Sequence, residues 1–309
     1  MLGTMEHASY YLPPEFLDRS AHRRTDKDWL TSQARNGARY TYVWRGCNLF
    51  RSGTSPGPLW LGADSLPSGH VPSFLGALPD GASLFVVDLG AYESSESALS
   101  AIKLDPESAR FTQIREFKGS LAPDERALFF YARSLVHWQN EQRFCGRCGS
   151  STTPQEAGHM MLCSNPACAA THFPRTDPAV IMLVTDGDRC LLGRQPVWPE
   201  GIFSTLAGFV ETGESLEQAV VREVREESGI ELSGVKYFGS QPWPFPQSLM
   251  LGFFAQSAST EIHCGAELAD VRWFDVAETK NILRLLEGRF PHLDTIARRL
   301  IRTWLHSRV

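Results

Sequence analysis

The chain has 309 residues, of which 42% are apolar, 11% aromatic and 21% charged. Such a composition can bury cores, which excludes disorder, collagen and low-complexity fibre, and the length suits two domains or two with a small module between them. A formal net charge of −5 excludes a generally basic nucleic-acid binder.

The longest apolar run, Ala179 to Val184, has six residues, against the roughly 18 that span a bilayer. No transmembrane segment is expected. The opening Met1-Leu2-Gly3-Thr4-Met5-Glu6-His7 lacks the basic and apolar regions of a secretory signal, and His306-Ser307-Arg308-Val309 is no peroxisomal address, so a cytoplasmic location is expected. Of seven cysteines, four crowd into residues 145–168. In a reducing compartment that clustering favours metal over disulfides.

Residues 1–140 read as a mixed, β-rich N-terminal domain, with β-like runs at Tyr40–Trp44 and Leu84–Val87 between turn-rich stretches. Between Ala122 and Glu141, Leu128, Tyr131, Leu135 and Trp138 recur at helical spacing behind an Asp124-Glu125 start. Residues 141–174 hold the cysteine module. From 175 to 309 a buried strand (Val180–Val184), an Asp186-Gly187-Asp188 turn, a second strand (Arg189–Gly193) and later helices indicate an α/β layer architecture. The last element is an Arg-studded helix over about Leu293 to His306, and no internal repeat is visible.

Cys145-Gly-Arg-Cys148, fourteen residues, then Cys163-Ser-Asn-Pro-Ala-Cys168 gives two pairs at zinc-ligand spacing. Four thiolates leave no position open for water, so the site is expected to be structural. Two disulfides are the alternative pairing, and a zinc ribbon can also bind nucleic acid, although Arg147 is the only basic residue from Cys145 to Cys168.

The strongest signal runs from Gly208 to Ile230. Ser215-Leu216-Glu217-Gln218 fits a capping box and Gly229 suits a left-handed C′ position, which predicts a helix over about 216–228. At 100° per residue, Glu223, Glu226 and Glu227 fall within an arc of about 100°. A face carrying three carboxylates either repels itself or holds cations, and hard oxygen ligands suit Mg²⁺ or Mn²⁺ bridging to phosphate. Arg222 precedes the cluster, placed to orient or neutralise one of its carboxylates. A solvated face of i, i+4 pairs is the bland alternative.

Gly208 to Ile230 resembles the Nudix box without departure. The resemblance implies an α/β/α sandwich and metal-assisted attack of water on the phosphorus of a nucleoside diphosphate derivative. It implies Glu223 and Glu227 as metal ligands, Glu226 as a further ligand or the base, and the backbone carbonyl of Ala207 completing the shell. Glu267 corresponds to a further metal-binding glutamate.

Ten residues beyond the box, Ser240-Gln241-Pro242-Trp243-Pro244-Phe245-Pro246-Gln247-Ser248 alternates prolines with rings and amides. Prolines deny ladder hydrogen bonds, so an exposed edge or loop that holds rings rigidly is expected. With the box and the four-cysteine module before it, this segment is similar to the SQPWPFPxS signature of the NADH pyrophosphatase family. What that likeness implies is hydrolysis of NAD(H) to nicotinamide mononucleotide and AMP, removal of NAD caps from RNA, and a homodimer. It places Gln241, Pro242, Trp243, Pro244, Phe245, Pro246, Gln247 and Ser248 along the dinucleotide, Phe173 and Phe209 around its rings, and Ala297 at a further substrate contact. The second cysteine pair departs from the family pattern, with four intervening residues where two are common. The alternatives are the same chemistry on ADP-ribose or diadenosine polyphosphates, and a zinc-ribbon nucleic-acid-binding protein that no longer catalyses.

Overall fold

The computed structural model describes residues 16–35, 37–117, 121–289 and 294–308. The readings on Met1–His7, on a helix start at Leu293 and on Val309 lie outside these residues. One compact unit ends at Arg175 and the other begins at Thr176.

The first unit comprises α1 (Lys27–Arg35), β1 (Arg39–Trp44), β2 (Cys47–Arg51), β3 (Gly57–Pro58), β4 (Ser73–Ala77), β5 (Ser83–Asp88), α2 (Ser95–Ala101), β6 (Ala109–Thr112) and α3 (Pro123–Glu141), followed by β7 (Thr152–Gln155), β8 (Met160–Cys163) and β9 (Thr171–His172). Its main sheet runs β3-β2-β1-β5-β4, with β6 on β2 and a parallel β1·β5 pair. Alternate residues of β5 serve opposite faces, as the two-residue period requires. Phe85 and Val87 join Tyr40, Tyr42 and Leu99 in one core, while Leu84 and Val86 pack with Leu128, Leu135 and Trp138 of α3 in the other. The helical spacing read between Ala122 and Glu141 is thus α3, opened by Pro123 and by Glu125, whose Oε2 accepts from the Ala122 N–H at 2.8 Å.

The small sheet β7-β8-β9 carries the cysteines and packs onto this unit. Met161 of β8 enters the α3 core. His159 Nε2 donates to the Phe74 carbonyl at 2.8 Å, and the Gln139 amide donates to Gly158 O at 2.7 Å. Gly158 has φ +92°, and a Cβ there would lie 2.1 Å from Ser73 Oγ, so glycine is the residue that lets the module approach.

The second unit comprises β10 (Asp177–Asp186), β11 (Arg189–Arg194), β12 (Leu206–Phe209), α4 (Leu216–Ser228), β13 (Leu232–Trp243), β14 (Ser248–Ser257), β15 (Asp270–Asp275), α5 (Val276–Arg289) and α6 (Ile296–His306). Its sheet runs β13-β14-β10-β11-β15, with β12 on β10 and β10 parallel to β14. Val180, Met182 and Val184 of β10 pack with Ala219, Val220 and Val224 of α4. Leu183, from the opposite face, packs with Ile282, Leu286, Leu300 and Trp304 of α5 and α6. The result is the expected α/β/α sandwich. No helix among the described residues is long and apolar enough to cross a membrane.

The two large sheets share a pairing scheme that the sequence conceals. In each, the first strand makes an antiparallel hairpin with the second and a parallel ladder with the fifth in chain order. The fourth and fifth form an antiparallel pair, and the second pairs antiparallel with the last. Where the second unit inserts α4 between β12 and β13, the first makes only a short 3₁₀ turn, Ala63–Ser65, between β3 and β4. The expectation of no internal repeat is therefore corrected at the level of topology: apart from the third strand, which pairs with the second strand in one sheet (β3 on β2) and with the first in the other (β12 on β10), pairing repeats although side chains do not, because many apolar sequences satisfy one strand arrangement.

Candidate active site

Helix α4 forms where its caps dictate. Ser215 Oγ accepts from Gln218 N at 3.2 Å and Gln218 Oε1 accepts from Ser215 N at 2.8 Å. At the other end Gly229 takes φ 71° and donates to Arg225 O at 2.8 Å. The apolar stripe Ala219, Val220 and Val224 fixes the helix on the sheet and thereby turns Glu223 and Glu227 inward.

Arg222 is the hub of this face. Its guanidinium donates to both oxygens of Glu214 (2.7 and 2.9 Å), to Glu223 Oε1 (2.8 Å), to Glu226 Oε2 (3.0 Å) and to the Phe209 carbonyl (2.8 Å). Arg222 therefore positions carboxylates and ties α4 to β12. Glu214, a residue of the Gly208–Ile230 segment, is the anchor of this face. Arg222 first, then the Glu211 N–H, hold its carboxyl down at about 2. Its presence at a fixed place in the box was the available signal.

The three carboxylates differ sharply in exposure. Glu226 is largely exposed, Glu223 nearly buried and Glu227 only 8% exposed. Glu227 Oε2 is buried with no hydrogen-bond partner. Burial, then the charges of Glu223 and Glu267, push its carboxyl up to about 8, while the Ala207 N–H pulls the other way. Glu223 is raised too, by burial first, with Glu226 and Glu267 adding to it against Arg222. A buried, unpartnered carboxylate oxygen beside like charges is costly unless a cation neutralises it. The structure thus brings Glu223, Glu226, Glu227, Glu267 and Ala207 into one region, and the donor set fits a hard divalent ion.

The Pro-aromatic segment lies at the sheet edge, as its prolines require. β13 is the edge strand, Trp243 pairs with Ser248, and 244–247 form the turn between them. The Trp243 and Phe245 rings meet edge to face at 5.1 Å between centroids. Pro242 and Pro246 are exposed and Pro244 is buried. Gln241 is buried, and its amide bonds the start of α6, accepting from Ile296 N at 2.8 Å and donating to Asp294 O at 2.9 Å. Gln247 Nε2 donates to Asp177 at 3.1 Å. Ala297 packs with Ile181 and Ile296. Phe209 and Phe173 expose 59% and 62% of their surface, unusual for rings without a partner to cover them.

The Sγ atoms of Cys145, Cys148, Cys163 and Cys168 lie within 4.8 Å of one another, and all seven cysteines are free thiols. This is the geometry of four ligands around one ion and not of two disulfides. Ser150, through hydroxyl and amide, draws the Cys148 thiol down to about 6, favouring the thiolate that binds metal. Gly149, after the second cysteine, takes φ +75° and so supplies the turn's freedom. Gly146, after the first, does not need it.

Three family models match successive parts of the chain: the NADH pyrophosphatase-like rudimentary NUDIX domain over residues 37–138, the NADH pyrophosphatase zinc ribbon domain over 140–173, and the NUDIX domain over 175–296. The NAD-capped RNA hydrolase NudC of Stutzerimonas stutzeri is 43% identical over 209 residues, covering 67% of this chain and 72% of that protein. The chain belongs to the NADH pyrophosphatase family of Nudix hydrolases. The NudC protein of Pseudomonas aeruginosa (strain LESB58) is 44% identical over 60% of this chain and 63% of its own length. The human NAD-capped RNA hydrolase NUDT12 is 41% identical over 60% of this chain, which spans 43% of that longer protein. As a member of this family the chain is a hydrolase with a zinc ribbon. Its rudimentary Nudix part coincides with the sheet that repeats the catalytic topology without α4.

Proposed function

We propose that this enzyme hydrolyses the pyrophosphate of NAD(H) to nicotinamide mononucleotide and AMP, and acts likewise on NAD caps of RNA. The observation that carries the reading is the buried, unpartnered Oε2 of Glu227 among Glu223, Glu226 and Glu267. These carboxylates, with the Ala207 carbonyl, would hold Mg²⁺ or Mn²⁺. Such an ion, when bound, supplies a polarised phosphoryl group and an acidified water.

The chain's own residues set the rest. Arg222 fixes Glu223 and Glu226 against Glu214, which limits how far either can swing. Glu226, the most exposed of the three, serves as a further ligand or takes the proton of the attacking water. Trp243 and Phe245 offer a rigid ring pair for a base or nicotinamide, and Pro242, Pro244, Pro246, Gln247 and Ser248 line the same hairpin. Buried Gln241 and Ala297 shape this wall from behind, and exposed Phe209 supplies a further stacking face, whereas Phe173, exposed in the first unit, is assigned to ring contact by the family likeness alone.

We further assign residues 1–140 to the N-terminal domain, 141–174 to the ribbon and 175–309 to the catalytic domain, and propose a cytoplasmic homodimer. Four cysteines gathered as ligands of one ion, in place of two disulfides, fit a reducing compartment. The ring-pair assignment is tested by Trp243→Ala: KM for NADH should rise about tenfold, the scale of one lost stacking contact of about 1.4 kcal/mol. Unchanged NADH turnover in this variant would favour another nucleoside diphosphate substrate.

A further inference from the structure

We propose that the N-terminal unit carries a second ligand site, a cationic cleft beyond the carboxyl ends of β1 and β5 that holds the phosphate of a nucleotide. The cleft has a volume of about 680 Å³, within the range of small-molecule sites. Arg45 and Gly46 line it from the β1–β2 turn, Asp88 and Gly90 from the end of β5, and Arg133 and His137 from α3. Arg143 closes it beyond that helix. Nothing in the catalytic reading uses these residues, and the proposal does not rest on that reading.

Its position follows a general rule. In open α/β sheets ligands bind outside the carboxyl ends of adjacent parallel strands, where the chain departs to opposite sides. Here β1 turns back into its antiparallel neighbour β2, whereas β5 leads away to α2. The gap between these departures is the cleft.

Charge argues for an anion. Three arginines and a histidine face two carboxylates, and of those Asp88 already accepts from the Gly90 N–H and the Asn140 amide, each at 2.8 Å. Guanidinium groups match phosphate oxygens in paired hydrogen bonds, which a lone ammonium cannot do. His137 is held below its ordinary pKa by burial first and then by the charge of Arg133, with Glu141 opposing, so its ring adds a neutral donor beside the arginines.

Backbone strain points the same way. Arg45 and Gly46 take successive left-handed conformations, φ 46° and 78°. Asn-Gly fits such a two-residue turn, while a long side chain there costs on the order of 1 kcal/mol. What the arginine achieves is reach: its guanidinium crosses to the end of β5 and donates to the carbonyls of Gly90 (3.5 Å) and Tyr92 (3.1 Å). Strain retained at a cleft mouth is a mark of ligand binding.

The ligand class is a nucleoside 5′-monophosphate unit, free or within RNA. The test uses the full chain without added divalent metal, titrated with UMP by calorimetry and with a fluorescein-labelled, 5′-phosphorylated ten-nucleotide RNA by anisotropy. The variants are Arg45→Gly with Arg143→Ala, and Arg35→Ala with Arg110→Ala as an exposed control that loses the same two charges. The double variant should bind at least one probe tenfold or more weaker than both wild type and control, with no loss of melting temperature and with NADH turnover unchanged. Loss confined to RNA identifies an RNA nucleotide as the occupant, and loss of UMP identifies the free nucleotide. Equal affinity of double variant and control for both probes, or no binding of either by wild type, overturns the proposal.

Discussion

A Cβ on Gly208 would lie 1.9 Å from the carboxyl carbon of Glu223. Both residues belong to the acidic box, fifteen positions apart, and the absence of a side chain on β12 is what admits a carboxylate from α4. The Arg222 bridge to Phe209 O holds the two elements at this spacing. Gly208→Ala should therefore displace Glu223 and cost ~10² or more in kcat, because a misplacement of about 1 Å at a catalytic group has that effect. Kinetics with NADH, beside a melting curve showing a folded protein, check it; full activity would mean that Glu223 need not sit against Gly208.

Glu227 gives a pH-dependent stability. Its folded-state carboxyl is raised from 4.5 to about 8, so the folded protein holds this proton more tightly than the unfolded chain does. Without added divalent metal, stability should be greatest below about 4.5 in this contribution and fall as pH rises toward 8, by on the order of 3–5 kcal/mol. Glu227→Gln should remove that slope and cost ~10² or more in turnover. Denaturant titrations from pH 5 to 8.5 measure it, and identical slopes in variant and wild type would contradict the assignment.

Proton release provides a second check. At pH 7 the Glu227 carboxyl keeps most of its proton, so binding of Mg²⁺ or Mn²⁺ should release up to about one proton per chain. Calorimetry in buffers of different ionisation enthalpy reads this number directly. A value near zero at pH 7 would show that Glu227 is ionised before the metal arrives.

His159 acts in the opposite pH direction. Burial first holds its pKa down at about 4 from 6.5, so the folded chain keeps the ring neutral and donating to Phe74 O. Between these values the unfolded chain binds more protons, and stability should fall as pH drops from 6.5 toward 4, by about 3 kcal/mol at most. His159→Gln should flatten this acid limb for the unit that contains it. An unchanged limb would place its cause elsewhere.

The ribbon should contribute stability without chemistry. Cys148 is exposed, so Cys148→Ser removes one of four thiols with little change in packing. The variant should lose its zinc, seen by elemental analysis, and melt several degrees lower. Zinc content and melting temperature equal to wild type would refute a four-thiolate site.

Much of this site could be read from the sequence because its determinants are local. The capping box at Ser215, the left-handed Gly229 and the inward arc of Glu223 and Glu227 follow from spacing along one helix. The Pro-aromatic hairpin was legible for the same reason: prolines declare an edge. What escaped depends on residues far apart in the chain. The reason for Gly208 lies in Glu223, the anchoring of Arg222 in Glu214 and Phe209, and the work of the Gln241 amide at the start of α6. The shared pairing scheme of the two large sheets escaped as well, since strand pairing is fixed by apolar alternation that many sequences satisfy.

The most direct measurement is product analysis. Purified protein with Mg²⁺ or Mn²⁺ is incubated with NADH, and with ADP-ribose in competition, and the products are separated by chromatography. The account predicts AMP and reduced nicotinamide mononucleotide in equal amounts, with NADH consumed first. ADP-ribose cleaved well while NADH stays intact would contradict it.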